Sequence, residues 1–225
     1  MTRHSLDVYM KLSRPRTIVL ICVASCAILA VLLMSLPGIR HKLLRAAGWA
    51  LIANDEKGPV DVIVIGVDDY GGGVLEAADL VKEGIATRVA VFEDHPDTTD
   101  REFMRRDVPH YDAAALSVRQ LNALGITSVA VIHSSVSGTN AEAALLPKWC
   151  VENGYHSVLM VTSPDHSYRV RRVLRRAMEG SGIDIRVRAS RYSKFDPDRW
   201  WYSRVGVRTE VVESEKLLLD LVTHP

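Results

Sequence analysis

The chain has only three cysteines, and Cys150 alone lies beyond the apolar N-terminal run that holds Cys22 and Cys26. No intramolecular disulfide can form in the remainder, and cysteine does not identify the compartment. Net charge is scarce as well. Twenty-eight basic and twenty-seven acidic residues leave a formal charge of +1, which argues against a dedicated nucleic-acid binder. Neither a G-x-G-x-x-G run followed by an acid nor a Walker lysine is present, so dinucleotide and ATP binding gain little support. A G-x-S-x-G nucleophile elbow is also missing. The chain contains no internal repeat and no low-complexity segment.

What it does have is one long apolar run. Residues 17–36 are twenty positions without charge, Gly or Pro, about the length that crosses a bilayer core at ~1.5 Å per residue. A transmembrane helix is expected there, behind a basic terminus over 1–16. Val23-Ala24-Ser25-Cys26 resembles a lipoprotein processing box, but the run stays apolar through Leu36, which favours an uncleaved signal anchor. Arg3, Lys11, Arg14 and Arg16 precede the run, and Arg40, Lys42 and Arg45 follow it. Four against three favours an inside N-terminus and an extracytoplasmic domain. Residues 37–59 read as a juxtamembrane linker. Within them, 41–53 fit either an amphipathic surface helix anchored by Trp49 or a plain linker helix.

From Val60 to Pro225 short β-branched runs alternate with helical patterns. Strands are expected at 60–65, 88–92, 127–132, 156–162 and 184–188, and helices at 73–84, 111–124, 139–153, 164–179 and 207–222. Such a βα repeat predicts an α/β three-layer sandwich, Rossmann-like, around a mostly parallel sheet. Ligands of such sheets bind beyond the carboxyl ends of the strands. That directs attention to the loops 66–73, 93–109, 133–138 and 163–166.

The last of these is the most informative. Val161 to Thr162 ends a strand, Ser163 is a good N-cap, and Pro164 suits the first helical position. His166 and Arg169, three apart, then share the face at the start of a basic helix, where exposed N–H groups favour an anion. His166 is the expected acid or base, because an unperturbed imidazole titrates near neutrality. Gly71 and Gly72, after the first strand, would let backbone approach a bound group, and Asp68 beside them would meet phosphate through a bridging cation. Glu93-Asp94-His95 offers oxygen and imidazole donors, in a spacing that matches no established metal motif. Thr139 and Glu142 either form a capping box, with Ser137 as an alternative cap, or face the ligand.

Arg171, Arg172, Arg175 and Arg176 are expected to be solvated, opposite an apolar face of Val170, Val173, Leu174 and Ala177. Glu210, Glu213 and Lys216 suit a surface ion-pair face. Trp200-Trp201-Tyr202 could stack a sugar ring or an isoprenoid chain, or pack a lid onto the domain.

Four segments carry a resemblance: the strand and glycine-rich loop Asp61 to Gly73, the helix start Gly138-Thr139-x-x-Glu142-Ala143, the run Val161-Thr162-Ser163-x-x-His166-x-x-Arg169, and a late Glu before Lys216. Over about 60–222 the chain resembles the YdcF/SanA/ElyC family of bacterial envelope proteins. The resemblance implies a Rossmann-like fold with a polar pocket at the strand ends, and roles in peptidoglycan precursors, envelope barrier function and undecaprenyl carrier lipid. It places Ser163, His166 and Arg169 on a phosphate and Thr139 and Glu142 beside it. The implied partners are the bilayer of the bacterial cytoplasmic membrane and an anionic envelope metabolite or carrier lipid. One member binds S-adenosylmethionine, which keeps a nucleotide or S-adenosylmethionine enzyme, and a non-catalytic assembly factor, as alternatives. No cofactor or metal is identified. The chain departs from the family where Gly73-Val74-Leu75-Glu76 lacks an arginine, Glu93-Asp94-His95 replaces Ser-Gly, and Gly138 replaces an asparagine.

Overall fold

The computed structural model describes residues 18, 19, 21, 22, 24, 25, 35–93, 96–108, 112–134 and 138–224. The chain divides into two units, Met1–Ala46 and Ala47–Pro225. In the first, the basic terminus 1–16 and most of the expected span 17–36 lie outside the described residues. Among the described residues no helix is long and apolar enough to cross a membrane. Helix α1 runs Pro37–Ala50, starting where a proline costs no helical hydrogen bond.

The second unit is an α/β sandwich. Its strands are β1 (Val62–Ile65), β2 (Val89–Phe92), β3 (Val129–Ile132), β4 (Ser157–Thr162) and β5 (Asp184–Ala189). They alternate with α2 (Tyr70–Lys82), α3 (Thr98–Met104), α4 (Ala113–Ala123), α5 (Thr139–Glu152), α6 (Ser167–Met178) and α7 (Arg204–Thr223). The described residues thus hold seven α-helices and five strands. All strand pairs are parallel, in the order β3-β2-β1-β4-β5. This is the Rossmann-like winding, and its direction reverses between β1 and β4.

Strands β1 and β2 and most of β4 are apolar on both faces because both faces are covered, whereas the edge strand β5 puts Asp184, Arg186 and Arg188 on one face. Val62 and Val64 of β1 join Phe92, Leu146, Met160 and Leu174 on one side. Ile63 and Ile65 join Val74, Leu80, Val91 and Leu121 on the other. This is the two-residue alternation of a pleated strand, and each such buried side chain contributes ~1.5–3 kcal/mol.

Three local differences from the sequence expectation matter for function. Helix α2 begins at Tyr70 after a 3₁₀ turn over Val67–Asp69, so Gly71 and Gly72 belong to its first turn and not to an open loop. Helix α6 begins only at Ser167, after a 3₁₀ turn over Pro164–His166. The long connection 93–109 contains α3, whose N-cap Asp97 accepts from the N–H groups of Thr99 and Asp100 while Asp100 accepts from that of Asp97. That reciprocal cap nucleates a helix in a stretch with little apolar patterning.

The segment before β1 is part of this unit. Leu51 and Ala53 are buried, the N–H of Ala53 donates to Ser167 Oγ at 2.8 Å, and Tyr168 N–H donates to Leu51 O at 2.9 Å. Trp49, expected as an interface anchor, donates its indole N–H to Asp198 at 2.8 Å.

Candidate functional site

The chain reversal brings the ends of β1 and β4 side by side, with Gly66 N–H donating to Val161 O at 2.9 Å. Beyond them lies a cavity of about 480 Å³, lined by Asp68 from the β1 turn, Thr139 and Glu142 from the start of α5, and Ser163, Asp165, His166 and Arg169 from the β4 turn and α6. Glu213 and Lys216 of α7 complete it. The residues expected at the site from three separate loops, Asp68, Thr139, Glu142, Ser163, His166 and Arg169, therefore share one wall.

His166 is the centre of the site, with only 5% of its surface exposed. Its Nε2 meets the carboxylate of Asp68 and lies 3.0 Å from Thr162 Oγ1, and its Nδ1 is 3.4 Å from Asp165 Oδ1. Burial alone would depress the imidazole pKa, but the hydrogen bonds to Asp165 and Asp68 outweigh it and push the pKa up to about 10. The expected near-neutral acid–base group is thus a fixed cation in the free protein. Burial opposes ionisation of Asp68 and Asp165, yet hydrogen bonds from His166 hold both below the usual carboxylate range.

Groups poised near neutrality stand beside it. Glu142, 5% exposed, is pushed up to about 8 by burial and by the Asp68 charge. It accepts from the Val67 backbone N–H and at pH 7 is mostly a neutral carboxyl, able to donate. Asp69 is pushed up to about 7, first by burial.

Several local readings change. Ser163 does not cap a helix with its side chain; its hydroxyl donates to Asp165 and stands 3.1 Å from Ser193 Oγ. The Thr139–Glu142 capping box is not formed, because Gly138 at φ +108° is the N-cap and its carbonyl accepts from Ala141 and Glu142. Ser137 lies outside the described residues. Arg169 gives Nη2 to Glu213 at 3.0 Å, and its Nε is buried without a hydrogen-bond partner among the described residues.

The arginines expected to be solvated are paired. Arg171 and Arg175 reach Asp55 at 3.0 and 3.5 Å, while Arg172 and Arg176 grip Asp220 of α7. Glu210 and Glu213, expected on an exposed face, are buried. Glu213 lies between Arg169 and Lys216, the latter at 2.6 Å. Glu93 pairs with the exposed His133 at 2.9 Å, whereas Asp94 and His95 lie outside the described residues. Among the described residues no cluster of three His, Cys, Asp or Glu is placed to hold a metal.

A second cavity, of about 740 Å³, shares Asp68, Ser163 and Asp165 with the first and includes Asp69, Gly71, Gly72 and Trp200. Gly72 is needed by the chain itself, since a Cβ there would lie 2.7 Å from Asp69 Oδ1.

No family model matches this chain, and no curated protein does either. Among solved structures it is similar to the rRNA methyltransferase aviRa from Streptomyces viridochromogenes, at 16% identity over 68% of this chain and 73% of that one, with a TM-score of 0.30. So slight a likeness does not bear on chemistry.

Of the residues at the site, Asp165 was not singled out in the sequence, Asp69 was read there only as a solvated acid or metal ligand, and Glu213 and Lys216 were read as a surface ion pair although a late Glu before Lys216 is part of the family resemblance. Asp165 had a local signal, because a carboxylate next to a histidine at a strand end can hold its ring. The α7 pair had only that resemblance as a signal, because its approach to α6 depends on tertiary packing.

Proposed function

We propose that the chain is a membrane-anchored bacterial envelope protein of the YdcF-like kind, whose α/β domain lies outside the cytoplasmic membrane and binds a phosphate-bearing envelope metabolite or carrier lipid. The observation that carries this reading is the convergence of His166, Arg169 and Lys216 on one cavity at the reversal point of the sheet; the first N–H groups of α6 are already taken by Pro164 O and Leu51 O. These three cations face the side chains of Asp68, Asp165 and Glu213, and Glu142 is mostly neutral at pH 7. Each cation already pairs with a carboxylate, so no buried charge is unpaired before the ligand arrives, and a phosphate binds by taking a cation over from its carboxylate.

In this reading His166 is a permanent positive charge against the phosphate, and the Arg169 guanidinium, which also lines the cavity, adds a second. Glu142 donates a hydrogen bond to a phosphate oxygen. Where a water oxygen attacks phosphorus there and the ester P–O bond breaks, Glu142 would give its proton to the departing oxygen. Titration calorimetry of the full chain with farnesyl phosphate tests the site. His166→Ala is expected to weaken binding by at least about tenfold with the circular dichroism spectrum unchanged; equal affinity of variant and parent would remove the assignment. A reporter fused at Pro225 tests the orientation, and a cytoplasmic signal would overturn it.

A second reading, a ligand with its own cation such as S-adenosylmethionine, is favoured by Asp68 and Asp69 following β1. Calorimetric binding of S-adenosylmethionine in place of farnesyl phosphate would establish it.

A further inference from the structure

We infer that the second cavity is a subsite for a polyhydroxylated ring, a glycosyl group carried by the same molecule whose phosphate enters the first cavity. The inference rests on the phosphate reading above and goes beyond it by naming what the phosphate is attached to. The two cavities share Asp68, Ser163 and Asp165 as lining residues, so a ring joined directly to a phosphate in the first would lie in the second. Its volume, about 740 Å³, falls within the range of small-molecule sites.

Asp69 supplies the observation that asks for a ligand. It is 7% exposed and lines this cavity, yet its Oδ2 is buried with no hydrogen-bond partner among the described residues. An unmatched buried oxygen is costly, and a turn of the Asp69 side chain that brings Oδ2 to the cavity would meet it with a ligand hydroxyl. An isoprenoid chain in the same place would leave that oxygen unmatched. A second phosphate would meet Lys194 and Arg199 but also the four carboxylates Asp68, Asp69, Asp165 and Asp196, and it too would leave that oxygen without a donor.

The opposite character is supplied by Phe195 and Trp200, which also line the cavity. An aromatic face beside carboxylates and serine hydroxyls suits a sugar, whose C–H face is apolar and whose edge is polar. Trp200 is held firmly. A Cβ at Gly48 would stand 2.8 Å from its Cδ1, and one at Gly206 would stand 2.2 Å from its carbonyl oxygen. The wall formed by Tyr192 is fixed too, through its hydroxyl to Asp79 at 2.6 Å and through Arg191 to the fully buried Glu76 at 2.8 Å.

The test compares inorganic phosphate with N-acetylglucosamine 1-phosphate on the full chain by calorimetry. The sugar phosphate is expected to bind about tenfold or more tighter than phosphate. Asp69→Leu, which keeps the volume but removes the acceptor, is expected to bring that ratio close to one, and Trp200→Ala to reduce it. A ratio near one in the parent chain, or one unchanged in Asp69→Leu, overturns the sugar subsite while phosphate binding stands. Failure of both probes to bind overturns the phosphate reading and the subsite together.

Discussion

Asp68 and His166, from the ends of β1 and β4, meet through a carboxylate and Nε2 across the point where the sheet reverses. With Asp165 at the other ring nitrogen, 3.4 Å away, the histidine is clasped from both sides. Its pKa, pushed up to about 10, lies above the ordinary value, so this clasp stabilises the fold fully below about pH 6.5 and loses its contribution as pH rises through about 10. The His166 ring protons are expected to show no titration by NMR between about pH 5 and 8.5. Asp165→Asn should lower the midpoint by about 1–2 units. A parent midpoint near neutrality would contradict the clasp.

Glu142 gives a dependence of the same sign in a lower pH window. Its folded pKa, pushed up to about 8, exceeds the value near 4.5 of an exposed glutamate. The folded state therefore binds the extra proton, and stability falls as pH rises from about 4.5 to 8. Glu142→Gln replaces the neutral carboxyl with a group of the same shape and is expected to be more stable than the parent at about pH 8.5 by roughly 2–4 kcal/mol. The advantage should be small at about pH 5. Urea denaturation at the two pH values reads this directly, and an advantage independent of pH would show that Glu142 is not carrying the proton.

The strands and the β4-to-α6 segment were legible because their signals are local. Val62 to Ile65 and Val158 to Val161 are continuously apolar, as buried parallel strands must be, and Ser163-Pro164 marks a strand end by itself. The pairing of charges was not legible, because it depends on elements far apart in the chain. Arg172 and Arg176 look solvated on the helix that carries them; only α7 laid alongside shows Asp220 between them. The glycines of α2 misled for a related reason. Gly73 reads as freedom for a ligand, yet a Cβ there would lie 2.6 Å from Ile65 Cγ2, so its smallness serves the closure of the first turn of α2 on β1.

The clasp of α6 on α7 can be tested on its own. Asp220 accepts from Arg172 Nε at 2.8 Å and from both Nη atoms of Arg176, and the hydrogen bonds from Arg176, ahead of those from Arg172, hold its pKa below the usual range. Asp220→Ala leaves two guanidinium groups facing each other. Because these arginines are a quarter to a third exposed, the expected cost is about 1–3 kcal/mol, below that of a fully buried pair. It should shrink at low pH, where the parent aspartate is protonated and its contribution is lost. An unchanged denaturation midpoint at neutral pH would show that α7 is held by other contacts.

Gly206 allows the sharpest separation of local from tertiary effects. It lies in the first turn of α7, where alanine in place of glycine ordinarily stabilises a helix by about 0.5–1 kcal/mol. Here the added Cβ would fall 2.2 Å from the carbonyl oxygen of Trp200 and 2.9 Å from its carbonyl carbon, backbone atoms that cannot rotate away. The overlap is expected to win, so that Gly206→Ala destabilises by about 1–3 kcal/mol and moves the Trp200–Tyr202 turn off the start of α7. Denaturation monitored by tryptophan fluorescence measures both. A stabilised variant with an unshifted spectrum would mean that the turn gives way easily, and the aromatic wall of the second cavity would then be adaptable and not preformed.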